Sequence, residues 1–187
     1  MVNKQNNIEL AKAASRGEAW ACRLLVADHA QRLLRLVSRL LPDPSEAEEV
    51  VQDSLLRALN RLDAFDGSRG SLATWLSTIA WRTALNHLRS HPRRQTLSFE
   101  ELHQEEPSEE QLDEAFSSGR PSRVEALVQA LSLLSAEERA LLSMRYTEEL
   151  SLDEIAAITE SDASALASRL YRIRKKLYNL ILKTEQR

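Results

Sequence analysis

Cysteine is all but missing from this chain: Cys22 stands alone among 187 residues, which excludes an internal disulfide and suits a reducing cytosol. Glycine and proline are scarce as well, at four and five. With leucine, alanine, glutamate and arginine abundant, so few helix breakers argue for an almost all-helical protein. No apolar run approaches the roughly 18 residues of a membrane span, and no apolar signal-peptide core follows the polar start Met1–Asn7. A soluble, cytoplasmic protein is expected. Four histidines and one cysteine form no ligand-spaced cluster, and there is no glycine-rich phosphate loop, so neither metal, cofactor nor enzyme is expected.

What is present is charge, unevenly placed. The net charge is −3, yet residues 100–115 hold eight acidic side chains and no lysine or arginine, leaving the remainder at +5. Two stretches, Arg82–Arg94 and Arg169–Lys183, are basic and free of acid. Such blocks are usually solvated faces or tails. Two basic helices flanking an acidic segment suggest instead two DNA-contacting modules and a linker.

The length accommodates two small domains. Helices are expected over Ile8–Arg16, Glu18–Leu41, Ser45–Leu62 and Leu72–Ser90, the second ended by Pro42 and Pro44 and the third opened by a Ser45/Glu48 capping box. Residues 91–121 lack helical periodicity and read as a flexible acidic linker, able to fold back on the basic helices. The expected domains are therefore 1–90 and 122–187, the latter opened by Ser122 and Glu125.

The C-terminal part is the more specific. Ser135/Glu138 and Ser151/Glu154 both have capping-box spacing. A short apolar helix with Ile155, Ala156 and Ile158 breaks near Thr159–Ser161. The helix after it carries Leu166, Leu170, Ile173, Leu177 and Leu180 as one buried stripe. At about 100° per residue, Ser164, Ser168, Tyr171 and Lys175 lie opposite, with Arg169, Arg172 and Lys176 along the flank. A short helix, a turn and a basic amphipathic helix make a helix-turn-helix, whose last helix would enter a DNA major groove.

In the N-terminal part, Ser45–Asp53 sets Glu46, Glu49 and Asp53 on nearly one side of a helix with Gln52 beside them. That face is either solvated surface or a docking site for a basic partner helix, where charge complementarity fixes register. On the fourth helix Leu72, Trp75, Leu76, Ile79 and Thr83 form a core side. Arg82, Asn86 and Arg89 form a polar stripe able to hold phosphates and read a base edge. Trp81 and Leu85 are expected on the outer side, where Trp81 could stack on an unpaired base or pack against the C-terminal domain or a partner. The small polar loop Phe65–Ser71 is either a receptor for an extruded base or a connector.

Together the strings E-A-E-E-V-V-Q-D with L-L-R-A-L, W-L-S-T-I-A leading to N-H-L-R, L-S-L-L-S-A-E-E-R-A-L-L-S-M-R-Y, S-L-D-E-I-A-A-I and S-R-L-Y-R-I-R-K-K-L resemble the extracytoplasmic-function (ECF) class of bacterial sigma factors over almost the whole chain. The resemblance implies an all-α, two-domain promoter-recognition subunit with no catalytic activity of its own. It implies that Glu46, Glu49, Gln52 and Asp53 dock on RNA polymerase core. It further implies that Phe65, Asp66, Gly67, Ser68, Arg69, Gly70 and Ser71 capture a flipped −10 base, with Arg82, Asn86 and Arg89 on DNA nearby. Ser164, Ser168, Arg169, Arg172 and Lys175 would read the −35 element, and the linker would thread through the polymerase, whose clamp and flap regions are the expected contacts. An anti-sigma protein is a further implied partner. Two other roles for such a fold are a mimic that sequesters an anti-sigma factor and a stand-alone helix-turn-helix repressor. The chain departs from the family pattern at three places: Arg82 replaces a frequent asparagine, Glu160 a usual glycine, and Ala167 a frequent lysine.

Overall fold

The computed structural model describes residues 4–90 and 121–185, and all regular structure among them is helical. The acidic segment, with its expected fold-back, lies outside the described residues. Four helices come first: α1 (Lys4–Ser15), α2 (Ala19–Leu40), α3 (Pro44–Leu59) and α4 (Leu72–Ser90), with a 3-10 turn at Leu62–Ala64. Four more follow: α5 (Pro121–Ser132), α6 (Ala136–Tyr146), α7 (Leu152–Thr159) and α8 (Ala163–Glu185).

Local chemistry explains most boundaries. Gly17 ends α1 in a left-handed conformation, φ 79°, which costs glycine little. The chain leaves α2 at Leu41 in an extended conformation, and Pro42 follows. The Ser45/Glu48 capping box does not form. Asp43 caps α3 instead, accepting from the amides of Ser45 (3.0 Å) and Glu46 (3.4 Å), with Pro44 at the first turn. A carboxylate is a strong acceptor for orphan amides, and proline there forfeits no bond, so the helix starts earlier than the serine signal. Leu62 accordingly lies beyond α3, on the 3-10 turn.

In the first unit α2, α3 and α4 pack on one another, and α1 closes over α2. Leu25, Leu33, Leu40, Leu72 and Leu76 are at most 1% exposed. Buried Ser54 donates to the Val50 carbonyl at 2.6 Å, so its hydroxyl is satisfied inside the core. In the second unit the stripe Leu166, Leu170, Ile173, Leu177 and Leu180 is buried, and α5 packs along α8.

The units also pack on each other: α6 lies against α2, and α7 against α4. Leu36 and Ser77 on one side and Met144 and Ile158 on the other line a small cavity at this seam. This seam corrects the outer placement of Trp81 and favours packing toward the C-terminal unit over stacking on a base. The indole is buried, 2% exposed, and lines with Leu85 a cleft bounded by Thr159 and Glu160. The same helix α4 that carries Trp81 is the one that α7 packs against.

Candidate nucleic-acid interface

Three exposed surfaces follow one another along the chain. The first is on α3. Glu49 and Gln52 are exposed, while Glu46 and Asp53 are half-buried. Asp53 accepts from Arg57 one turn on, at 2.8 Å, and Glu46 approaches His87 at 3.8 Å. Leu56 is 61% exposed. At positions 49, 52, 53 and 56 the helix repeat stacks it on the acidic side chains, so the face has an apolar edge. In the sequence Leu56 is masked by its neighbour Leu55, with which it forms an apolar pair. The signal available was its position off the stripe Val51–Leu55–Ala58.

The second surface is the loop Phe65–Ser71 with the stripe on α4. The loop is held at both ends and in the middle. Phe65 packs on Trp75, ring centroids 5.7 Å apart. The Asp66 carboxylate accepts from the Ser68 amide at 2.9 Å, and its hydrogen bonds with Ser68 hold its pKa below the usual range. The Ser71 hydroxyl accepts from the Thr74 amide at 3.0 Å, capping α4. Gly67 lies so close to α1 that a methyl group there would stand 2.7 Å from the Ile8 side chain. Arg69 is exposed and Gly70 partly so, at the open side of this frame. Arg82, Asn86 and Arg89 are exposed along α4 and line the same cleft as Trp81. The role of α1 as a wall behind the loop had no signal in the sequence beyond the apolar character of Ile8.

The third surface is the helix-turn-helix. Both capping boxes form. The Glu138 carboxylate accepts from the Ser135 amide at 2.7 Å, and the Glu154 carboxylate from the Ser151 amide at 2.9 Å. Arg145 donates to the Leu150 carbonyl at 2.9 Å, bracing the connection into α7. Glu160 ends α7 with φ 54°, the left-handed conformation that costs a side chain roughly 1–2 kcal/mol. Asp162 then caps α8, accepting from the amides of Ser164 (2.8 Å) and Ala165 (3.2 Å) and from the Ser164 hydroxyl (2.6 Å). These bonds, the Ser164 hydroxyl foremost, depress the Asp162 pKa. The sequence sign of this cap is the aspartate just ahead of the helix, a residue type favoured there for its carboxylate acceptor.

On α8, Ser164, Ser168 and Arg172 are exposed, whereas Arg169 and Lys175 are half-buried. Ser168 donates to the Ser164 carbonyl at 3.1 Å. Arg169 donates to Glu137 at 2.9 Å, and Lys176 to Glu138 at 3.0 Å, tying the start of α6 to α8. Burial opposes the charge on Glu138, but the Ser135 amide and Lys176 outweigh it and lower its pKa. The arrangement thus brings Ser164, Ser168 and Arg172 to one exposed face and ties Arg169 to Glu137 inside the domain.

Comparison with known proteins agrees with this layout. The sigma-70 region 2 family profile matches residues 25–94, and the sigma-70 region 4 profile matches residues 124–177. The ECF RNA polymerase sigma-E factor of Salmonella typhimurium is 30% identical over 178 residues, covering 92% of both chains. The RNA polymerase sigma-H factor of Pseudomonas aeruginosa is 28% identical over 183 residues, covering 95% of this chain and 94% of that one. In fold, the chain is similar to CnrH solved with the cytosolic domain of CnrY: TM-score 0.63, 24% identity, 93% and 96% of the two chains covered. It is also similar to the sigma factor RpoE of Bartonella quintana solved with the anti-sigma factor NepR, with TM-score 0.57, 22% identity and 84% and 94% coverage. With regions 2 and 4 matched in order and the Salmonella relative aligned almost end to end, this chain belongs to the extracytoplasmic-function sigma factors of the sigma-70 family.

Proposed function

We propose that this chain binds RNA polymerase core through α3, directs it to specific promoters, helps open the −10 element and recognises the −35 element. The observation that carries this reading is the succession of exposed faces: an acidic patch edged by Leu56, a basic stripe beside a framed loop, and a helix-turn-helix face. Glu46, Glu49, Gln52 and Asp53 suit a basic helix of the core clamp, and Leu56 adds apolar area that ion pairs alone would lack. The loop Phe65–Ser71 suits an extruded base, with Arg82, Asn86 and Arg89 on neighbouring phosphates and base edges. Ser164, Ser168, Arg169, Arg172 and Lys175 suit a major groove, in contact with the −35 duplex. Catalysis stays with the polymerase, and the work is done in the cytoplasm. The Bartonella relative is solved with an anti-sigma factor. An inhibitor of that kind is a fitting partner here too.

The test is co-elution of the purified chain with bacterial core polymerase on a sizing column. Wild type is expected to travel with core, while Gln52→Ala/Asp53→Arg and Leu56→Ala travel mostly apart from it with unchanged helical content. A well-folded wild-type chain that elutes separately from core would overturn the proposal.

A further inference from the structure

The two residues that look most out of place on the DNA-facing surfaces touch each other. Glu160 sits in a left-handed conformation that favours glycine, and it carries a negative charge at the turn of a DNA-reading motif. Arg82 stands 78 residues earlier on α4, in the stripe assigned above to the −10 region. Its Nε and Nη2 both donate to the Glu160 carboxylate, one to each oxygen. This is the two-pronged geometry that arginine also adopts on a phosphate. Near the same junction, Thr78 donates to the Ala157 carbonyl at 3.2 Å. At the far end of the seam Arg35 pairs with Glu148 at 3.8 Å.

We propose that Glu160 acts as an internal substitute for a DNA phosphate, occupying Arg82 and holding the two helical units closed until nucleic acid displaces it. The proposal rests on the promoter-binding reading of Arg82. Geometry makes the closed form and the bound form exclusive. Elements centred about 25 base pairs apart are separated by about 85 Å of duplex at 3.4 Å per pair. In the closed form the turn leading into α8 touches the middle of α4, so the two surfaces cannot span that distance. Engaging both elements requires the seam to part, and parting frees Arg82 for phosphate. Both side chains remain partly in solvent, 62% and 42% exposed, so the pair biases an equilibrium and does not seal it.

The test uses the full chain and two readouts: radius of gyration by small-angle scattering, and affinity for a mixed-sequence fluorescent single strand of about 12 nucleotides. Glu160→Gln is expected to expand the chain and tighten oligonucleotide binding up to about fivefold at low salt, the range an exposed ion pair allows. In an Arg82→Ala background the same change is expected to do nothing to affinity. The exchange Arg82→Glu/Glu160→Arg is expected to restore the compact radius while leaving binding weak. Glu149→Gln removes the same charge from the loop before α7. If it tightens binding as much as Glu160→Gln does, the effect is general charge and the proposal fails. It fails equally if Glu160→Gln changes neither radius nor affinity. Running Glu160→Gln with core polymerase separates the two readings: co-elution without any change in radius or affinity refutes the internal phosphate substitute alone. A chain that parts on substitution but never co-elutes refutes the sigma role of the surfaces instead.

Discussion

At the scale of single residues, Arg169 shows how a proposed DNA contact can also brace the fold. Arg169 lies on the flank assigned to the −35 element, yet its guanidinium also reaches Glu137 on α6. Arg169→Ala should therefore lower promoter-specific transcription in a reconstituted assay and leave core binding unchanged. Glu137→Ala removes only the internal tie and should cost transcription much less; equal losses would assign Arg169 to bracing alone. Gly67 is constrained by proximity, since a methyl there would meet the Ile8 side chain at 2.7 Å. The Cβ of Gly67→Ala overfills that contact, and the expected loss is about 1–3 kcal/mol of stability in a denaturant titration. Trimming the wall with Ile8→Ala in the same chain should recover part of it. Failure to recover would mean the strain lies elsewhere in the loop.

At the scale of elements, the helix starts hold the second unit in register. Glu138 caps α6 and holds Lys176 of α8, while Glu154 caps α7 and Asp162 caps α8. All three carboxylates are held below their ordinary pKa. The Ser135 amide and Lys176 overcome burial at Glu138, the Ser151 amide acts on Glu154, and the Ser164 hydroxyl on Asp162. A carboxyl group depressed in the folded state lends stability that is complete above its unfolded value, about 4. That stability drains away as pH falls through the folded value. Thermal melts should thus show the midpoint steady near neutrality and falling below about pH 4, with Glu138→Gln flattening part of that fall. A wild-type midpoint indifferent to acid would refute this account of the caps. The sequence displayed the two serine boxes plainly, because a box is a contact between residues three apart. It did not display Asp43 as the true start of α3, because proline beside an aspartate outcompeted a serine signal two residues later.

At the scale of the whole molecule, the two helical units close on one another along a seam. The seam joins α2 to α6 and α4 to α7, and its polar ties are exposed to solvent. Salt should therefore loosen it. Near 1 M salt the screening length falls to about 3 Å, and the wild-type radius of gyration should move toward that of Glu160→Gln. A compact radius insensitive to salt would place the closure in the apolar seam, around Met144 and Ile158, and not in the ion pairs.

Helix positions, the two serine boxes, the apolar stripe of α8 and the acidic face of α3 could all be read along the chain. Each depends on residues within two or three turns of one another, where spacing alone sets who meets whom. Burial of Trp81, the wall that Ile8 makes behind Gly67, the hold of Glu138 on Lys176 and the pairing of Arg82 with Glu160 could not. Periodicity records which side of a helix avoids water, but it is silent on what covers that side. Only when two helical units meet does an acid in a strained turn find the arginine that it occupies.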